Sequence, residues 1–206
     1  MGYNIDVVNW RLNMDSSGHN SSALFVGDNL ALDFINTAYG VGDNKQDLLT
    51  DDASVTKWLQ QAQVASRRSD QAKSRGLLKA ALELRDIARE LVTMRHAGKW
   101  ADPSALNRYL SLGSYHLVLR WSKGDEPAVT NQEAASDNVE ADLLPVAEAL
   151  AQLLAEANFE KVRKCECDEC TLLFYDRTKA GRRRWCSMAM CGNRMKVAAY
   201  RARSKA

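Results

Sequence analysis

Residues 164–196 read KCECDECTLLFYDRTKAGRRRWCSMAMCGNRMK and hold all five cysteines of the 206-residue chain. Cys165 and Cys170 bracket four residues, Cys186 and Cys191 bracket four more, and fifteen residues separate the two pairs. Four thiolates in two close pairs suit a tetrahedral structural Zn2+ site, because each short loop brings two sulfurs to one ion and the intervening chain closes the shell. The segment is also too short and polar to fold on apolar burial alone, so a bound ion would supply much of its folding free energy. Cys167 and Cys170 form a second, two-residue spacing. The matched four-residue loops favour Cys165 and leave Cys167 as a spare thiol, with Cys167 as the alternative first ligand. An odd cysteine count argues against a disulfide framework, and a catalytic zinc needs an open position, commonly with histidine or carboxylate ligands, whereas no histidine lies within this segment.

Between the pairs, LLFYD reads as a strand and TKAGRRRW as a hairpin turn with a basic return. After Cys186 the pattern is helical, with the second pair in the first turn, an arrangement that resembles a treble-clef zinc finger. On this helix Arg194, Arg201 and Lys205 share one face, while Met195, Ala199 and Ala202 form an apolar stripe expected to face protein. Charge is uneven along the chain. Residues 161–206 carry 13 Lys or Arg against 4 Asp or Glu, whereas residues 1–160 carry 15 against 22. An acidic body with a basic tail points the tail toward a polyanion, with double-stranded DNA as the expected partner. The candidate contacts are Arg182, Arg183, Arg184, Arg194, Lys196, Arg201 and Arg203, with Arg201 the candidate base reader and Arg194 expected to brace the metal site. A zinc-stabilised protein-interaction module, or an RNA binder, is the alternative.

Upstream, hydrophobic residues at 46% and charged residues at 26% describe a globular chain and exclude global disorder. No run approaches the ~18 apolar residues of a membrane span, and the start has neither a basic nor an apolar leader region, so a cytoplasmic protein without a membrane partner is expected. Residues 1–22 read as an extension, 23–160 as a helical body and 161–206 as the finger. Helices are predicted from Asp28, capped by Asp28 or Asn29, from Asp51 to Ala65, from Asp70 to Ala97, from Asp102 to Leu112 with Pro103 in its first turn, and from Asp137 to Phe159. Leu77, Ala81, Leu84, Ala88 and Leu91 form the core stripe of the longest one. YHLVLRW and AVTN, separated by SKGDEP, predict a β-hairpin. The expected fold is therefore α+β, predominantly α: a helical body with a small hairpin plus a C-terminal treble-clef-like finger.

Asp33, Asn36 and Thr37 interrupt the apolar helix LALDFINT. They read as a buried polar network in which Asp33 pairs with Arg85 and the other two satisfy the helix end, or else as part of an effector pocket. His19, His96 and His116 stand singly and carry no catalytic pattern. Among enzyme signatures, no phosphate-cradling glycine loop, nucleophile elbow or HExxH is present, so an enzyme is not expected.

At RRRWCSMAMCGNRMK the sequence closely resembles the CGNR zinc finger family, whose signature includes the literal Cys191, Gly192, Asn193 and Arg194 here. The resemblance implies a first cysteine pair at Cys165 and Cys170, with Cys167 a departure from the pattern. LALDFINT and DLLTDDASVTKWL look like the ABATE domain that accompanies this finger in bacterial proteins described as stress-induced transcription regulators. Together the two resemblances span about residues 24–203 and imply one structural zinc, DNA binding by the finger, and a body that senses an effector or forms a homodimer.

Overall fold

Asn29 accepts the Ala31 N–H through its side-chain oxygen at 2.9 Å and so opens α1 (Leu30–Ile35). The computed structural model describes residues 24–64, 75–113, 115–120, 128–133, 138–156 and 158–204; the predicted extension 1–22, residues 70–74 of the long helix, the hairpin turn, Ala157 and Lys205 fall outside these. At six residues α1 is too short to persist alone. Ala31 to Ile35 are all buried, however, against α3 (Leu77–His96), α5 (Leu144–Ala155) and β6 (Leu173–Tyr175). Thr37 closes the helix by donating its hydroxyl to the Phe34 carbonyl at 2.7 Å.

The chain then forms a short antiparallel pair, β1 (Ala38–Tyr39) with β2 (Gln46–Asp47), in which Ala38 faces Asp47. Asp51 and Ser54 make a reciprocal capping box that starts α2 (Asp52–Gln61). The central post is α3, and Leu77, Ala81, Leu84, Ala88 and Leu91 are buried along it as the periodicity predicts. Asp102 accepts the Ser104 N–H at 3.0 Å ahead of α4 (Ser104–Leu110), with Pro103 at the cap position rather than inside the first turn. The predicted hairpin is β3 (Tyr115–Arg120) paired antiparallel with β4 (Ala128–Glu133), Tyr115 opposite Glu133. A 3-10 turn, Val139–Leu143, feeds α5, whose first turn contains Pro145. The last part holds β5 (Val162–Lys164) antiparallel to β6, then a wide helical turn at Met188–Gly192 that runs into α6 (Asn193–Arg203). The architecture is α+β and predominantly α. No described helix is long and apolar enough to cross a membrane.

Two apolar cores meet along α1. The body core gathers Phe34, Trp58, Leu84, Tyr109 and Leu150, with Phe34 edge-on to Trp58 at 5.3 Å between centroids. A smaller core gathers Leu172, Phe174 and the five cysteines. The two are interlocked: Val26 lies in the cysteine core, and Val162 in the body core. Polar bonds reinforce the seam. The Asn36 side chain accepts the Leu173 N–H at 2.9 Å and donates to the Leu173 carbonyl at 2.8 Å, and the Tyr175 N–H donates to the Gly27 carbonyl at 2.7 Å.

The expected Asp33–Arg85 pair does not form. Arg85 forks across both Asp47 carboxylate oxygens at 2.7 and 2.5 Å and also donates to the Thr37 hydroxyl at 2.9 Å. The β1–β2 pair presents a carboxylate in the two-oxygen geometry a guanidinium prefers. Burial works against the Asp47 carboxylate, yet the Arg85 bonds hold it below the usual range. Asp33 instead accepts the Gly27 N–H at 2.7 Å, and a Cβ on Gly27 would stand 2.9 Å from that same oxygen, so a side chain there would press on the bond. The Asn36 expectation also shifts, because its amide reaches β6 instead of its own helix end.

Burial pushes the Asp33 carboxyl up to about 7 from 3.8, foremost among several causes. Between those values the folded state holds a proton that the unfolded chain has released, so stability falls as pH rises through the window and the full penalty applies above it. Asp33→Asn keeps an oxygen for the Gly27 N–H and removes the charge. Urea unfolding from pH 4 to pH 8 is expected to show a slope in the wild type, worth roughly 2–4 kcal/mol in total, that is absent from Asp33→Asn. Parallel profiles would show that this carboxyl does not titrate there.

Candidate metal centre

The first cysteine loop is held by the β5–β6 ladder. The Cys165 N–H donates to the Leu172 carbonyl at 2.9 Å, and the Cys170 N–H donates to the Cys167 carbonyl at 2.9 Å, folding the CECDEC loop back on itself. The strand LFY thus pairs with residues before the first cysteines, and the predicted basic return, residues 182–185, does not form a strand. Asp176 replaces that ladder. This buried carboxylate accepts the Thr178 N–H at 2.9 Å, the Thr178 hydroxyl at 2.6 Å and the Arg183 N–H at 2.9 Å, and so shapes the loop that leads to Cys186. The Asp-x-Thr spacing of an Asx turn was its only trace in the sequence.

The second pair rests on a helix start. Ser187 caps the turn through the Ala189 N–H at 3.2 Å, which sets Cys191 one turn on, facing Cys186. Gly192 has a packing reason, since a Cβ there would meet Met188 Sδ at 2.6 Å and Trp185 Cδ1 at 3.1 Å.

The sulfurs of Cys165, Cys170, Cys186 and Cys191 all lie within 4.8 Å of one another, and all four residues are buried. Cys170 to Cys186 is 3.8 Å and Cys186 to Cys191 is 3.6 Å. A tetrahedron with Zn–S bonds of about 2.3 Å has edges of about 3.8 Å, so the spacing fits that ion and is far too wide for disulfide bonds. All five cysteines are free thiols. The Cys186 N–H also points at Cys165 Sγ at 3.4 Å, as it would toward a thiolate ligand. The site is thus built for one structural zinc, with Cys165 as first ligand and Cys167 outside the set.

Without a cation the four sulfurs cannot share their charge. A hydrogen bond from Cys186 brings Cys170 down to about 5, and the same bond, with burial and neighbouring thiolates, drives Cys186 upward. Burial foremost pushes Cys191 up to about 12. A divalent ion reverses this by deprotonating its ligands, so metal binding releases protons and weakens toward acid pH.

The predicted basic residues divide into distinct groups. Arg183 is turned inward: its guanidinium bonds the Asp28 carboxylate, the Val26 carbonyl at 2.8 Å, the Trp185 carbonyl at 3.0 Å and the Cys186 carbonyl, and lies 4.3 Å from the Phe174 ring centre. A polyanion would have to displace these partners to take up the contact expected of Arg183. Arg194 donates to Cys167 Sγ at 2.7 Å and reaches Cys191 Sγ at 3.9 Å, and its charge is stabilised chiefly by the Cys167 bond. Arg184 is exposed but bonds Glu166 at 2.6 Å. Arg182, Lys196, Arg201 and Arg203 are exposed and pair with no described acid. The expected apolar stripe of α6 is also corrected. Only Met195 packs against the cysteine core, while Ala199 and Ala202 are exposed, because α6 leaves the finger instead of lying along the body.

A family model described as "Putative stress-induced transcription regulator", ABATE, matches residues 28–157. The chain belongs to the ABATE family. In this ABATE protein a CGNR zinc finger model matches residues 161–204, so the cysteine centre lies wholly within the second match. No curated protein matches the chain. The two matched spans largely follow the seam between the body core and the cysteine core, although Val162, within the second span, lies in the body core. Neither family is an enzyme family.

Proposed function

We propose that this ABATE protein is a DNA-binding transcription regulator that presents α6 to duplex DNA. The observation that carries the reading is α6 itself. No residue of its eleven is buried, Cys191 anchors its base beside the metal centre, and Lys196, Arg201 and Arg203 are exposed along it with no acidic partner among the described residues. A helix about 16 Å long, held rigidly at one end and cationic along its length, has the size and charge of a major-groove reader. The exposed Arg182 and Arg184 would add phosphate contacts. The internal partners of Asp33, Asn36, Thr37 and Arg85 favour a structural role for that network over contact with an effector.

Binding of the zinc-loaded protein to genomic fragments, followed across salt concentrations, tests the reading. About four to five phosphate contacts correspond to a log–log slope of roughly −4. Arg201→Ala should relax preference at one base position, whereas Arg203→Ala should weaken all sequences about equally. Retention of fragments no better than random, with Arg201→Ala silent, would overturn it. A second reading then gains ground, since Val197 and Tyr200 are exposed at 49% and 66% on the same helix and favour a protein partner.

A further inference from the structure

Two cations of the body have no close counter-ion of their own. Arg89 on α3 is half-buried: one terminal nitrogen donates to the Ile35 and Ala38 carbonyls at 3.2 Å each, and its one ion pair among the described residues is a loose 3.6 Å contact to Asp86, a carboxylate 77% exposed on the same helix. Burial foremost, and the like charge of Arg85 after it, lower the Arg89 pKa from its usual value. Asp47 is already engaged, since both its oxygens are held by Arg85 at 2.7 and 2.5 Å. Lys45, just before β2, is exposed and pairs with no described acid. The turn that carries it is fixed: Gly40 has a φ of +92°, and a Cβ there would stand 2.1 Å from the Asn44 carbonyl oxygen. The Gly40 N–H also donates to the Thr171 hydroxyl at 3.1 Å, which ties this turn to the finger. These groups line one cleft of about 510 Å³, whose walls include Ala38, Tyr39, Lys45, Asp47, Arg89 and Thr171. That volume is within the range of small-molecule sites.

We propose that this cleft binds a small organic phosphate monoester, with Arg89 and Lys45 on the phosphoryl group and the organic part against Ile35, Ala38 and Tyr39. A phosphate monoester carries close to two negative charges at neutral pH and offers three acceptor oxygens, which matches two cations that lack a close acid. A carboxylate or a phosphodiester brings a single charge. Arg89 keeps N–H groups beyond the terminal nitrogen that the two carbonyls hold, so its guanidinium can fork across two phosphoryl oxygens, while Lys45 adds a point charge from the turn. Asp47 stands in the same cleft, yet the Arg85 guanidinium matches its charge through two-oxygen contact, so the cleft keeps a net positive charge. Residues 35–47 and Arg89 belong to the ABATE span and Thr171 to the finger span, so the bound molecule lies at their seam. The inference is independent of what α6 recognises.

Isothermal titration of the full-length, zinc-loaded chain with phenyl phosphate, at fixed ionic strength and without DNA, tests the proposal. One saturable site per chain is expected, and dimethyl phosphate, a singly charged diester, should bind at least about tenfold more weakly. Lys45→Ala and Arg89→Ala should each weaken phenyl phosphate binding roughly tenfold, as the loss of one charge-assisted bond implies. Arg89 also holds two backbone carbonyls, so thermal unfolding of each variant is followed alongside. Lys45 is an exposed turn residue whose replacement leaves the fold intact, and it alone decides the matter should Arg89→Ala fold poorly. Absence of saturable binding, equal affinity for the diester, or wild-type affinity in either folded variant would overturn the proposal. The last result would place the anion on the finger's arginines instead.

Discussion

Replacing Cys186 with serine is expected to strip the chain of zinc and unfold the finger. Cys186 is the sulfur placed close to both Cys170 and Cys191, so its loss opens the closed shell from the centre. A structural zinc of this kind contributes an apparent 10–16 kcal/mol, roughly, to folding at neutral pH, far more than the few apolar side chains of the small core can replace. The damage should reach the body as well. Leu173 would no longer be held for Asn36, and Val26 and Phe174 would lose the cysteine core they pack into. Native mass spectrometry should find no bound metal, and thermal unfolding should show a lowered, broadened transition. Cys167→Ser should keep one zinc per chain, since its sulfur lies outside the set of four, and a full equivalent of zinc on Cys186→Ser would refute the assignment.

Arg183→Ala should be the most damaging replacement of any basic residue in the finger, and its effect should be on stability. The side chain joins the N-terminal segment of the body to the last loop before Cys186, through Asp28, Val26 and Cys186, and covers the face of Phe174. Removing it takes the Arg183 donor away from three carbonyls, those of Val26, Trp185 and Cys186, and from the Asp28 carboxylate. The expected cost is about 3–4 kcal/mol, at the upper end for loss of a charged hydrogen-bonding partner. Arg183→Lys should recover little, because one ammonium cannot fork among partners on three sides. Arg182→Ala, by contrast, should leave the unfolding midpoint within about 0.5 kcal/mol of the wild type, as is usual for exposed side chains without partners. Chemical denaturation of the three variants side by side checks this, and equal stability of Arg183→Ala and Arg182→Ala would contradict the structural role.

The two adjacent arginines show where reading from sequence stops. Both lie in the run Arg182–Arg183–Arg184, and nothing in composition or period separates them. Asp28 and Val26, more than 150 positions earlier, decide that Arg183 turns inward. The same holds for Asp33 and Arg85. Both are buried polar groups, as the interruption of an apolar helix implies, but which one meets which depended on a two-residue strand too short to leave a periodic signal. A strand of two residues alternates once, and a single alternation is indistinguishable from a loop.

What the sequence alone determined were features with local causes. The stripe from Leu77 to Leu91, the helix start at Asp51, the Tyr115–Arg120 hairpin arm and the two cysteine pairs each follow from spacing within a few residues, where helix, strand or ligand geometry imposes its own period. Zinc also followed, because sulfur chemistry restricts what four paired cysteines hold. Tertiary structure decided the rest. It chose Cys165 over Cys167 by aiming four sulfurs at one point, set β5 against β6 so that the first pair sits in the hairpin's own loop, and left α6 exposed where its small residues suggested a buried stripe. These outcomes depend on how elements far apart in the chain share one core, and a one-dimensional pattern contains the residues of such a contact without their pairing.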